Sequence, residues 1–119
     1  MKPVDQDKFY VAGVSRGNGQ QAAVASILGL SLADVPNFME QEDFWGSYEQ
    51  FLDSRGFIDI GLPGNHVPDC FYLAYGPAAR GVRHAVVCRA GELAHDPHPS
   101  RAGLLEVHEI HLIVPKEIS

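Results

Sequence analysis

Arg83-His84-Ala85-Val86-Val87-Cys88-Arg89-Ala90-Gly91-Glu92-Leu93-Ala94-His95-Asp96-Pro97-His98 reads as two strands joined by a tight loop. A three-residue loop, Arg89-Ala90-Gly91, puts Gly91 at the left-handed position that such loops favour. Cys88 then pairs with Glu92, Val87 with Leu93, Val86 with Ala94, Ala85 with His95 and His84 with Asp96. Directly opposed residues share a face of a sheet, so His84 and Asp96 stand side by side. A carboxylate beside an imidazole fixes its tautomer and raises its basicity, as a general base requires. A two-residue loop would instead oppose His84 to Pro97 and separate the pair.

Outward from this hairpin the chain divides into helices first and strands after. Ahead of it, apolar strand patterns cover Phe57–Ile60 and Cys70–Tyr75; Val82–Arg89 and Glu92–Asp96 form the hairpin itself, and Leu104–Val114 follows. In the last of these the apolar phase moves by one residue, which predicts a bulge or break near His108-Glu109. Upstream, Asn18 is placed to cap a helix with Gln21 completing a capping box. Ala22-Ala23-Val24-Ala25-Ser26-Ile27-Leu28 is small and apolar nearly all round, the mark of a helix buried on most faces. Gly29 closes it. Ser31 to Val35 predicts a short helical turn ended before Pro36. Asp43 caps a further helix whose stripe is Phe44, Trp45, Tyr48, Phe51 and Leu52, with Gly56 after its end. Lys8–Val14 reads as a short strand or extended arm, and Ser15–Gly19 as a turn-rich loop. Helices followed by a run of strands predict an α+β fold with a buried N-terminal helix packed on an antiparallel sheet.

The 119 residues suffice for one domain, 1–119, and not for two. Nine Lys+Arg against fifteen Asp+Glu give a net charge of -6, with no basic cluster, which argues against a nucleic-acid partner. No apolar run approaches the roughly 20 residues needed to cross a bilayer, so no membrane partner is expected. The start, Met1-Lys2-Pro3-Val4-Asp5-Gln6, has no apolar signal region and suggests a cytoplasmic protein. Two cysteines, Cys70 and Cys88, are expected as free thiols. The six histidines admit a metal-dependent hydrolase, with zinc held by His84, His95 and His98, or by His108 and His111. The hairpin pairing turns His95 away from His84, and His108 and His111 differ in parity, so neither a metal nor another cofactor is assigned.

A His–Asp pair needs a nucleophile, and the favoured seat for a thiol is the first turn of a helix. Here that turn holds Gly19, Gln20 and Gln21, none of them a nucleophile. Cys70 follows Pro68-Asp69 at a strand start, and Cys88 lies roughly 13 Å along the strand from His84.

Gly17-Asn18-Gly19-Gln20-Gln21-Ala22-Ala23-Val24-Ala25-Ser26-Ile27-Leu28-Gly29 resembles the catalytic-helix motif of papain-like cysteine peptidases. The likeness is to the small branch related to bacteriocin leader peptidases, which includes short proteins of bacteria and phages. Leu32-Ala33-Asp34-Val35-Pro36-Asn37-Phe38, the Trp-bearing helix, His84-Ala85-Val86-Val87 and His95-Asp96-Pro97 extend the resemblance over nearly the whole chain. It implies a papain-like fold in which His84 acts as base and acid, Asp96 orients it, and position 19 carries the nucleophile. Position 19 is Gly. The oxyanion-hole glutamine, expected a few residues before it, is replaced by Gly13-Val14-Ser15, which leaves Gln6 as the candidate. The resemblance therefore implies a catalytically degenerate peptidase, a pseudoenzyme of phage or bacterial origin acting in the (host) cytoplasm. It would bind a peptide or host protein in a remnant cleft, with Asn18, Gln20 and Gln21 at the helix tip. Free N–H groups facing an imidazole suit an anionic or carbonyl ligand. The alternative is an active peptidase or amidase whose cysteine at position 19 has been replaced.

Overall fold

In the computed structural model, residues 1–116 are described. A five-stranded antiparallel sheet has the order β3-β7-β4-β5-β6. Its strands are β3 (Phe57–Pro63), β4 (Tyr72–Pro77), β5 (Arg83–Arg89), β6 (Glu92–His95) and β7 (Glu109–Pro115). A separate two-stranded ribbon joins β1 (Tyr10–Val11) to β2 (Ser15–Arg16). Two α-helices, α1 (Gly19–Leu28) and α2 (Phe44–Ser54), precede the sheet. The α+β class and the antiparallel sheet therefore follow the sequence reading. Ser15-Arg16, read as loop, is the returning strand of the ribbon; the reversal at Gly13 (φ +75°) is tight enough to fit inside the presumed arm.

The strands divide the core by parity. Leu73, Tyr75, Ala85 and Val87 face a cluster with Ala23, Val24 and Ala25 of α1 and Tyr48 and Leu52 of α2. Tyr72, Ala74, Val86, Cys88 and Ile110 form a second cluster, roofed by Leu62, Leu104 and Leu112. Central strand β4 is thus buried on both sides. The alanines of α1 matter for distance: without bulky side chains the helix axis comes close to the sheet, so its tip can reach β5.

The helix ends follow local rules in part. Asp43 caps α2 by accepting the Gly46 N–H at 3.1 Å. Gly56, at φ +85°, follows its end. Ser31-Val35 holds a 3₁₀ turn, Leu32–Asp34. The predicted capping box at α1 does not form. Asn18 Oδ1 accepts the N–H groups of Asp7 and Lys8 at 3.1 and 2.8 Å, and its Nδ2 donates to Asp7 Oδ1 and Gln21 Oε1. Gln21 Nε2 reaches past the helix to the carbonyls of Leu32 and Val35. Local capping loses to tertiary bonds that tie the N-terminal segment and the 3₁₀ turn to α1.

Gly29 ends α1 at φ +70° with open space where a Cβ would stand. Gly29→Ala is therefore expected to cost about 1 kcal/mol through backbone strain alone, and Gly29→Asn less. Urea-unfolding midpoints of the two variants check this; equal midpoints for wild type and Gly29→Ala would show that the left-handed conformation is not required.

Two further sequence expectations are corrected. The last strand begins at Glu109, not Leu104; the phase break near His108 is its start. Leu105 is 70% exposed, because residues 104–108 run as a connection rather than in the sheet. The β5–β6 loop has two residues, Ala90 and Gly91, both at positive φ (52° and 82°), with Arg89 paired to Glu92. This is the geometry that matches strand twist in two-residue hairpins.

Candidate functional site

A two-residue loop alone would have separated His84 from Asp96. A bulge repairs the register: Cys88 pairs with Leu93, but Val87 pairs with His95, so Ala94 is the extra residue. The added residue restores the parity of the strand. Asp96, just beyond the last paired residue, returns to the side of His84 as a diagonal neighbour instead of a direct one. His84 Nε2 donates to Asp96 Oδ1 at 2.7 Å, and both side chains are buried. The dyad read from sequence is therefore present, reached by a different register.

Asp96 is held from several directions. Its Oδ1 also accepts the His98 N–H at 2.9 Å, and its Oδ2 accepts the Gly103 N–H at 2.8 Å. Burial alone would raise this carboxyl. The hydrogen bonds from His84 and from the two backbone N–H groups outweigh it and hold the pKa at about 2. The loop Pro97–Gly103 thus wraps the acid. An ionised Asp96 keeps the ring proton on Nε2 and leaves Nδ1 as the acceptor of the imidazole.

Nδ1 looks at the tip of α1. A Cβ built on Gly19 would lie 2.9 Å from His84 Nδ1, 2.7 Å from Cε1 and 3.2 Å from Gln6 Oε1. Three residues separated by up to 78 positions thus meet at one point, and the imidazole fills part of the room that a side chain at position 19 would need. The first N–H groups of α1 have no partner within the helix. Asn18 offers them none, because its side chain is spent on Asp7, Lys8 and Gln21.

Gln6 reaches this point through the N-terminal segment, which is laced across the molecule. Its N–H donates to Pro97 O, and its side-chain Nε2 donates to Lys8 O at 2.9 Å. Its Oε1 is buried and has no partner. The amide therefore shows an oxygen, not an N–H, to the helix tip, which is the wrong polarity for an oxyanion hole. Gln20 repeats the pattern: Nε2 donates to the Tyr75 hydroxyl at 3.0 Å, and Oε1 is buried without a partner.

A cavity of about 460 Å³ opens over these groups. Gln6, Gly19, Gln20 and His84 lie along it, with Phe9, Tyr10, Phe44 and Trp45 among its apolar lining and Arg16, Arg80 and Arg83 among its polar lining. None of the lining residues is Cys, Ser, Thr or Lys. Asn18 and Gln21, expected at the ligand, are instead buried in structural bonds; of the three helix-tip candidates only Gln20 lines the cavity. Cys70 is exposed and Cys88 buried, and neither lines the cavity. Burial pushes the Cys88 thiol up to about 11.

No family model, curated protein or solved structure matches this chain.

Of the histidines considered for zinc, His84 and His98 lie with ring centroids 6.3 Å apart, and the others point elsewhere. His95 Nε2 donates to Val4 O at 2.9 Å, and His108 pairs with Glu106 at the surface. Among the described residues no three His, Cys, Asp or Glu side chains are grouped to hold a metal ion. One pair escaped the sequence reading. His111 Nδ1 lies 2.9 Å from Asp59 Oδ2, which sits in the neighbouring strand β3, and Tyr48 donates to Asp59 Oδ1 at 2.8 Å. Burial lowers the affinity of His111 for a proton, but Asp59, followed by Glu109, outweighs it and raises the pKa. Trp45 stacks on this imidazole at 5.2 Å between centroids, which props the indole in the cavity wall. The sequence signal was Asp59, the single charge inside Phe57–Ile60.

Proposed function

We propose that this chain is a catalytically silent member of the papain-like peptidase group that holds a peptide in its cleft without cutting it. The observation that carries this reading is the meeting of Gly19, the His84–Asp96 dyad and Gln6 beneath an open cavity. A general base is useful to a thiol at position 19, and glycine supplies none. What remains suits binding: helix N–H groups for a carbonyl or anion, an imidazole acceptor, and aromatic walls for side chains. The buried, unpartnered oxygen of Gln6 beside position 19 supports the silent reading over the active one, since it would repel a developing oxyanion. A peptide or a segment of a host protein is the partner, and a phage or bacterial origin belongs to the same proposal.

Trp45 is the single tryptophan of the chain and lines the cavity, so it reports occupancy. Short blocked peptides are expected to change its emission saturably, and mass spectrometry of the mixture after a day should find them intact. Cleavage products would replace the proposal with a hydrolase. An emission that no peptide changes would remove the cleft as a peptide site.

A further inference from the structure

We infer that the cavity selects an acidic peptide, one that presents a carboxylate beside a bulky apolar side chain. This rests on the peptide-binding reading above and names its ligand class. The charge distribution carries it. The chain has only nine Lys+Arg against fifteen Asp+Glu, yet Arg16, Arg80 and Arg83 all line this one cavity. The only carboxylate among the lining residues, Glu109, is ion-paired with Arg83. Arg16 and Arg80 have no acidic partner among the described residues. They come from separate elements, β2 and the β4–β5 turn, which the fold brings to the same opening. An acidic chain that gathers unpaired guanidiniums at a concave apolar site presents a local field opposite to its own net charge. Guanidinium and carboxylate match in geometry as well as sign. The field is felt nearby: burial and then the Arg80 charge lower the pKa of His98, another lining residue.

The floor separates a peptide from a simple organic acid. Gln6 and Gln20 are 8% and 5% exposed, and each has a carbonyl oxygen without a donor. Buried acceptors without partners are costly and are matched by N–H groups. A peptide backbone supplies such groups once the Gln6 and Gln20 side chains turn their oxygens toward it; 3-phenylpropionate does not. The aromatic lining of Phe44 and Trp45 takes the neighbouring apolar side chain.

The test follows Trp45 emission in the intact chain at low and physiological salt. The probes are a short blocked peptide carrying glutamate next to phenylalanine, its glutamine isostere, its lysine counterpart, a version ending in a free carboxylate after phenylalanine, and 3-phenylpropionate. One or both carboxylate peptides should bind about tenfold tighter than the glutamine isostere, with a preference that shrinks as salt rises. The tighter of the two identifies an internal acidic residue or a chain end as the source of the carboxylate. R80E and R16E should each reduce the preference, and together abolish it, whereas R89E, which changes the net charge equally far from the cavity, should preserve it. Arg16 and Arg80 are exposed, so unchanged thermal unfolding serves as the folding control for these variants. Equal binding of the glutamate and glutamine peptides, or tightest binding of the lysine peptide, overturns the inference and leaves the peptide cleft standing. Binding of 3-phenylpropionate as tight as the acidic peptides overturns the peptide requirement. Failure of every peptide removes the cleft reading itself.

Discussion

Gly19→Cys is expected to create the most reactive thiol in the chain, alkylated by iodoacetamide at pH 7 on the order of 100-fold faster than Cys88. The factor follows from two opposed effects. A thiol at a helix N-terminus beside an imidazole has its pKa pulled below neutrality, while burial holds Cys88 at about 11. The thiolate fractions then differ by about four decades, and the lower nucleophilicity of the weaker base returns roughly two of them. The imidazole must first give way. Its Cε1 lies 2.7 Å from the Cβ position, so the ring has to swing back by several tenths of an ångström about its bond to Asp96. His84→Ala in the same background removes both the crowding and the base, and should return the rate toward that of exposed Cys70. Labelling of all three thiols at one rate would mean that position 19 and His84 do not share a site.

Asp96→Ala is expected to destabilise the fold by about 3–5 kcal/mol, the range for removing one member of a buried pair. The carboxylate is 1% exposed and accepts from His84, His98 and Gly103, so its loss strands three donors in the interior. The pH dependence has a defined direction. The folded pKa of about 2 lies below the ordinary carboxylate value of about 3.9. This contribution is therefore complete above the ordinary value and drains away as pH falls toward 2. Urea-unfolding free energies at pH 7, 4 and 2.5 should show the gap between wild type and Asp96→Asn closing in acid. A loss under 1 kcal/mol for Asp96→Ala at pH 7 would mean that the loop Pro97–Gly103 does not depend on the acid for its place.

The sequence was most legible where one residue type answers one local demand. Asp43 before an amphipathic run, Gly29 and Gly56 at helix ends, and the alanine-rich buried helix all read correctly because each depends on neighbours within a turn. Asn18 misled for the opposite reason. It has the right residue type for a cap, but its better partners are Asp7 and Lys8, eleven and ten positions away. The His84–Asp96 pair was found through an incorrect register, since the shorter loop and the bulge at Ala94 offset each other in parity. Only the even spacing of 84 and 96 was truly visible. Gln6 was flagged through the resemblance, but neither its approach to Gly19 nor the inverted polarity of its amide is encoded locally; both follow from the path of residues 2–8 across α1 and the Pro97 loop. His111 and Asp59, 52 positions apart, needed the β3–β7 pairing to meet.

That N-terminal path also bears on when the cleft exists. Asp5 is gripped by both terminal nitrogens of Arg101 at 2.5 and 2.8 Å, Val4 O by His95, and the Gln6 N–H by Pro97 O. These clasps join residues 4–6 to residues 95–101, so their second halves do not exist until translation has passed residue 101. A ribosome-bound fragment ending before Asp96 carries the residues of α1 but no wrapped acid and no anchor for Gln6. The walls of the cleft therefore close only after the loop Pro97–Gly103 has been made, and a shorter chain presents an unassembled pocket.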